Sequence, residues 1–158
     1  KVIEKLQEKG YSLSEENIRE GIKNVRKITG FHGRWIVLGR HPLQVCDTAH
    51  NREGLVYIME QIREMNKPAL HFVLGFVNDK NLDNVLDLFP REATYYFTKA
   101  DIPRALDEHK LKEAAATYSL EGATFSTVKE ALEAARKNAS KEDLIYIGGS
   151  TFVVSEVI

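Results

Sequence analysis

Only one cysteine, Cys46, occurs in the 158 residues, so no disulfide framework can form within one chain. It stands between Val45 and Asp47 in an apolar run, as a small buried residue would. No apolar stretch is long enough to cross a bilayer, and the N-terminus carries no signal-peptide pattern. A net charge of −1 offers no broad surface for nucleic acid or anionic membrane. The phosphate-cradling loops G-x-x-x-x-G-K-[ST] and G-x-G-x-x-G are missing, and no serine lies in a G-x-S-x-G elbow. Histidines 32, 41, 50, 71 and 109 show no metal-ligand spacing. His71, opening an apolar strand, reads as a satisfied core residue. Internal repeats and low-complexity segments are absent. So is an initiator Met, which points to a fragment or a processed chain.

What is present is a globular composition, 43% apolar and 28% charged, long enough to bury a core. Residues 1–30 predict two short helices. Val2, Ile3 and Leu6 form one apolar face ending at Gly10. Ser14 caps the second, in which Ile18, Ile22 and Val25 share a stripe that stops at Gly30. Each stripe needs something to pack on.

From Trp35 the period changes. Trp35-Ile36-Val37-Leu38 and Leu43-Gln44-Val45-Cys46 predict a hairpin turning through Gly39-Arg40-His41-Pro42. Strand and helix then alternate. Leu55, Ile58, Met59, Ile62 and Met65 mark a helix, and 70–76 a buried strand. Leu82, Val85, Leu86 and Phe89 mark a helix stopped by Pro90. Residues 94–98 form a strand, and Leu111, Ala114, Ala115 and Tyr118 a helix. Ala123-Thr124-Phe125 is a short strand. Thr127 and Glu130 have capping-box spacing ahead of Val128, Ala131, Leu132 and Ala135. Residues 144–147 make the last clear strand, and the segment from Thr151 is open between strand and helix. The class is α/β: a Rossmann-like three-layer domain, mostly parallel sheet with an N-terminal antiparallel hairpin, helices on both faces.

In such a sheet ligands sit beyond the carboxyl ends of the strands. That edge would gather Asp47, His50, Asn51, Gly75, Asn78, Asp79, Lys80, Thr98, Lys99, Gly148, Gly149 and Ser150. A carboxylate at the strand-to-helix turn accepts from ribose hydroxyls or holds a metal, and a histidine there donates to phosphate. Asp or Asn in that turn also serves simply as a helix cap, in which case Asp47→Asn would be neutral.

These residues carry a resemblance. Asp47-Thr48-Ala49-His50-Asn51 is similar to the D-G-A-H-N motif opening the C-terminal domain of folylpolyglutamate and dihydrofolate synthases, within the Mur ligase group of ATP-dependent amide-forming enzymes. Gly33-Arg34-Trp35 resembles that family's G-R linker. Val73-Leu74-Gly75-Phe76-Val77-Asn78-Asp79-Lys80 resembles its V-x-G-x-x-x-D-K, and Ile102-Pro103-Arg104-Ala105-Leu106 its P-R-A-L segment. Gly148-Gly149-Ser150 precedes an apolar tail. Thr48 stands where the motif has Gly and Arg52 where it has Pro, which loosens the turn's fine geometry.

The resemblance implies an activity. Such ligases phosphorylate a carboxylate from ATP with Mg2+, and the amine of L-glutamate displaces phosphate from the acyl phosphate on dihydropteroate or folate. Their P-loop and metal ligands lie in an N-terminal ATPase domain. Residues 1–31 would then be a helical remnant of that domain plus linker, and 32–158 the Mur ligase-type C-terminal domain, inactive alone. A cytoplasmic enzyme with neither nucleic acid nor membrane as partner is implied. Arg34 and Asp47 carry over as ATP contacts, and Arg34 and His50 as catalytic residues. Asn51, Lys80, Ser150 and Thr151 are candidate phosphate or glutamate contacts, and no metal ligand lies in this chain. Two other classes compete: a receiver-type phosphoacceptor built on Asp47, Thr98 and Lys99, and a non-catalytic α/β binding module.

Overall fold

The computed structural model describes residues 1–158, which divide into two compact units, Lys1–His32 and Gly33–Ile158. In the first, α1 spans Val2–Glu8, α2 Glu15–Lys23 and α3 Val25–Thr29. Ser14 caps α2 by accepting from the Asn17 N–H at 3.1 Å. The second predicted helix is broken in two at Asn24, whose backbone leaves helical geometry. Asn24 turns its amide to the Glu20 carboxylate at 2.6 Å, the local competition that makes asparagine a poor helix interior. Gly30, at φ 66°, ends α3 in the left-handed conformation. No residue of these helices is buried, and Val2, Ile22, Val25, Ile28 and Phe31 are exposed.

The second unit is a six-stranded sheet in the order β1-β2-β6-β3-β4-β5. Strands β1 (Ile36–Arg40) and β2 (Leu43–Cys46) form the antiparallel hairpin. Strands β3 (Leu70–Leu74), β4 (Thr94–Phe97), β5 (Gly122–Thr124) and β6 (Leu144–Gly148) join β2 in parallel. Alternation along each strand sorts the core into two layers. Phe72, Leu74, Tyr95, Phe97 and Tyr146 pack beneath α4 (Arg52–Glu64) and α5 (Glu108–Ala116). Cys46, Val73, Tyr96, Ile145 and Ile147 pack against α6 (Val128–Asn138) and α7 (Thr151–Ser155). The three-layer class is the one the pattern predicted.

Three local expectations are corrected. The hairpin reverses on His41-Pro42 alone, because Gly39 and Arg40 still pair with β2. Trp35 lies outside β1, at φ 43°. The helix predicted over Leu82, Val85, Leu86 and Phe89 is two 3-10 turns, Leu82–Asn84 and Leu86–Leu88, split at Val85. Tertiary partners hold this segment. Tyr118 donates to Asp83 at 2.9 Å, and Arg52 grips Asp87 bidentately at 2.7 and 2.9 Å and the Asn84 carbonyl at 2.9 Å. The Arg52 hydrogen bond holds the Asp87 carboxyl below its usual range. Val85, Leu86 and Phe89 are buried all the same. The open C-terminal segment is helix α7, capped by Ser150 Oγ accepting from the Val153 N–H at 3.2 Å.

Away from the strand ends, His71 is buried as expected. Its Nδ1 lies 3.1 Å from the Tyr96 hydroxyl and its Nε2 3.5 Å from Asp143, while Asn138 donates to the same hydroxyl at 3.1 Å. Tyr96→Phe therefore strands the buried Nδ1 of His71 and takes an acceptor from the exposed Asn138 amide. It is expected to destabilise the domain by about 1–3 kcal/mol, read from the denaturant midpoint.

Candidate functional site

The parallel strands β2, β6, β3, β4 and β5 place their following loops at one edge of the sheet. The loop after β2 is the most constrained. Asn51, not Asp47, caps α4: its Oδ1 accepts from the Gly54 N–H at 3.0 Å. Asp47 is turned inward and only 2% exposed. Its Oδ1 accepts from the Ala49 N–H and its Oδ2 from the Trp35 N–H, each at 2.7 Å, and Arg34 Nη1 lies 3.6 Å from Oδ1. A buried carboxylate is tolerated where such charge-assisted bonds replace water. Each Asp47 oxygen thus accepts from one backbone N–H, while the residue still borders a hollow at this edge.

Arg34 keeps 58% of its side chain exposed, and its Nη1 donates to Thr48 Oγ1 at 2.5 Å. His50 is exposed, with Nδ1 3.0 Å from the Thr48 carbonyl. A carbonyl only accepts, so Nδ1 carries the proton and Nε2 is the atom left for a ligand.

His50 belongs to two hollows. One, of about 280 Å3, is lined by Arg34, Asp47, His50, Asn51 and Tyr57. The other, of about 80 Å3, is lined by His50, Lys80, Arg104, Ser150, Thr151 and Phe152. Arg34, Asp47, His50, Asn51, Lys80, Ser150 and Thr151 therefore each border one hollow or the other. Ser150 is nearly buried and its oxygen is engaged as the α7 cap, whereas Thr151 is exposed.

Arg104 was not among the expected site residues. Its guanidinium stacks 5.0 Å over the Phe152 ring and lies 4.0 Å from Asp79. A short antiparallel bridge, Val77 to Ala105, brings it there, with Asn78 N donating to the Arg104 carbonyl and Leu106 N to the Phe76 carbonyl, both at 2.9 Å. The loops after β3 and β4 are thereby zipped together. The signal was a cation within a quoted motif, but its convergence with Lys80 depends on that pairing. Gly149, at φ 94°, lets the loop after β6 join them, since a Cβ there would stand 2.7 Å from the Gly75 carbonyl.

The receiver reading fails on the same geometry. Lys99 pairs with Glu108 at 2.9 Å and lies 3.9 Å from Asp107, and the hydrogen bond to Glu108 raises its pKa. Asp47 meanwhile is committed to backbone. A larger hollow of about 490 Å3 lies along the same edge, lined by Lys99, Ala100, Asp101, Ile102, Ser126 and Glu156, and takes in no other predicted site residue. No three or more His, Cys, Asp and Glu side chains are grouped to hold a metal ion, and no helix is long and apolar enough to cross a membrane.

Fold and edge together define an α/β domain that gathers arginine, lysine and histidine at its parallel strand ends, the edge where such folds bind ligands. The model of the family "Mur ligase, glutamate ligase domain" matches residues 33–151, and the chain belongs to that family. It is 31% identical over 147 residues to a probable bifunctional folylpolyglutamate synthase/dihydropteroate synthase of Haloferax volcanii, covering 91% of this chain and 17% of that protein. It is 26% identical over 155 residues to the dihydrofolate synthase/folylpolyglutamate synthase of Escherichia coli, covering 97% of this chain and 35% of that one. The E. coli FolC structure in complex with DHPP and ADP superposes with a TM-score of 0.81 at 26% identity, over 96% of this chain and 35% of that chain. The chain thus spans about a third or less of the length of these relatives.

Proposed function

We propose that this chain is the C-terminal domain of an ATP-dependent ligase that adds glutamate to dihydropteroate or folate through an acyl phosphate. The observation that carries the reading is the pair of hollows meeting at His50. Arg34 offers a fixed charge and a planar fork suited to phosphate on one side. Lys80 and Arg104 offer cations to the carboxylates of an amino acid on the other. His50 stands where transferring phosphate and incoming amine would approach each other.

Arg34 would meet the developing phosphoryl charge when the domain closes, so that it acts only in a shut site. In this reading Asp47 serves the nucleotide by holding Arg34 and the linker backbone in place. The unit Lys1–His32, with its uncovered apolar side chains, is read as the end of the preceding ATPase domain, and residues 33–158 as the closing domain. Mg2+ ligands would come from that preceding domain, as the resemblance to this ligase family implies.

Two measurements test the reading. The purified 158-residue chain is expected to show neither ATP hydrolysis nor glutamate addition, and either activity would sink it. In the full-length enzyme, Arg104→Ala is expected to raise the KM for glutamate about tenfold, as loss of a carboxylate contact does, with the KM for ATP unchanged. A rise confined to ATP would place Arg104 on the nucleotide side instead.

A further inference from the structure

Three consecutive linker residues each make one bond to the pair Asp47-Thr48. The Gly33 carbonyl accepts from Thr48 N at 2.8 Å, Arg34 Nη1 donates to Thr48 Oγ1 at 2.5 Å, and Trp35 N donates to Asp47 Oδ2 at 2.7 Å. Gly33, at φ 114°, approaches so closely that a Cβ there would lie 3.0 Å from Thr48 Cγ2. Thr48 therefore works with all its parts: the methyl beneath Gly33, the N–H on the Gly33 carbonyl, the hydroxyl on the guanidinium. It also stands where the D-G-A-H-N pattern has a residue with no side chain to offer.

We propose that Thr48 is a positioning residue for Arg34, fixing the guanidinium beside the His50 hollows before any nucleotide arrives. The proposal rests on the ligase reading for its catalytic consequence, though not for its geometry. Arg34 is then no swinging linker arm. It travels with the unit Gly33–Ile158, within which that unit's compact boundary already places it. A half-exposed arginine is otherwise free to sample many rotamers, and a single hydroxyl acceptor reduces that sampling at the one atom nearest the Asp47 carboxylate.

Thr48→Val keeps the shape and the methyl contact and removes only the acceptor. Thr48→Ser keeps the acceptor. In the 158-residue chain, the Arg34 guanidinium nitrogens are expected to give separate, slowly exchanging NMR resonances in wild type and Thr48→Ser and to collapse together in Thr48→Val. Collapse in the wild type, or no change in Thr48→Val, defeats the hold itself. In the full-length enzyme, Thr48→Val should lower kcat about tenfold with the KM for ATP steady, as misplacement of a transition-state group does. Thr48→Ser should restore the rate, and Thr48→Val should add nothing in an Arg34→Ala background. A Thr48→Val loss that persists without Arg34 overturns the proposal. An Arg34→Ala enzyme at wild-type rate overturns the phosphate role and this proposal together. A strong Arg34→Ala defect beside a silent Thr48→Val overturns this proposal alone.

Discussion

Arg34→Ala in the full-length enzyme is expected to lower turnover about a hundredfold or more, the scale of losing one preorganised donor to a developing anion, roughly 2.7–4 kcal/mol. The same change should cost the fold little. Arg34 is more than half exposed, and its ion pair with Asp47, at 3.6 Å, is long. The Asp47 carboxylate keeps both backbone donors without it, so a loss of only about 0.5–1 kcal/mol is expected. Arg34→Lys separates charge from shape. An ammonium keeps the charge and gives up the fork, so its rate should fall between the other two. Steady-state kinetics and thermal unfolding on the same preparations check both halves. Kinetics within about threefold of wild type for Arg34→Ala would return the residue to a solvated linker charge.

The parts of this molecule that sequence made legible are those set by local periodicity. Leu55, Ile58, Met59 and Ile62 lie on one face of α4 and are all buried, because a helix of that length repeats its stripe often enough to be read. Strands β3, β4 and β6 were readable as short, mostly apolar runs buried on both faces, a signal the three-residue β5 lacks. The segment from Leu82 to Phe89 has the same stripe but too few turns. There Arg52, thirty-five residues before Asp87, decides the backbone, and no window of local sequence contains that bond.

The site divides along the same line. Asp47, His50, Lys80 and Ser150 were candidates from their places at strand ends, whereas Arg34 and Thr151 were named only through the resemblance to the ligase family. What spacing does not carry is the direction a side chain faces. Asp47 and Asn51 are both plausible caps by type, and only the turn's geometry gives the cap to Asn51 and the linker to Asp47. Arg104 comes to share a hollow with Lys80 through the Val77–Ala105 bridge, between loops that sequence leaves separate.

That difference at Asp47 reverses an expectation and sets the last prediction. A capping Asp tolerates Asn, since both accept from a helix N–H. The carboxylate seen here accepts from two N–H groups with two oxygens at 2.7 Å each, while almost wholly buried. An amide has one oxygen. Whichever way it turns, its NH2 faces either the Trp35 or the Ala49 N–H, donor against donor. One buried N–H is left unsatisfied, and the other loses a charged acceptor. Together these should cost about 2–4 kcal/mol, or a thermal midpoint lower by roughly 6–12 °C for a domain of this size. Arg34 also loses its only acidic neighbour on the turn, so nucleotide affinity in the full-length enzyme should fall with stability. Scanning calorimetry of wild type and Asp47→Asn, paired with the KM for ATP, separates the two roles. A midpoint unchanged beside a raised ATP constant would show that the carboxylate opens toward the ribose after all. A lowered midpoint with the ATP constant raised in step fits the geometry, in which one buried acid holds the linker, the turn and the arginine together.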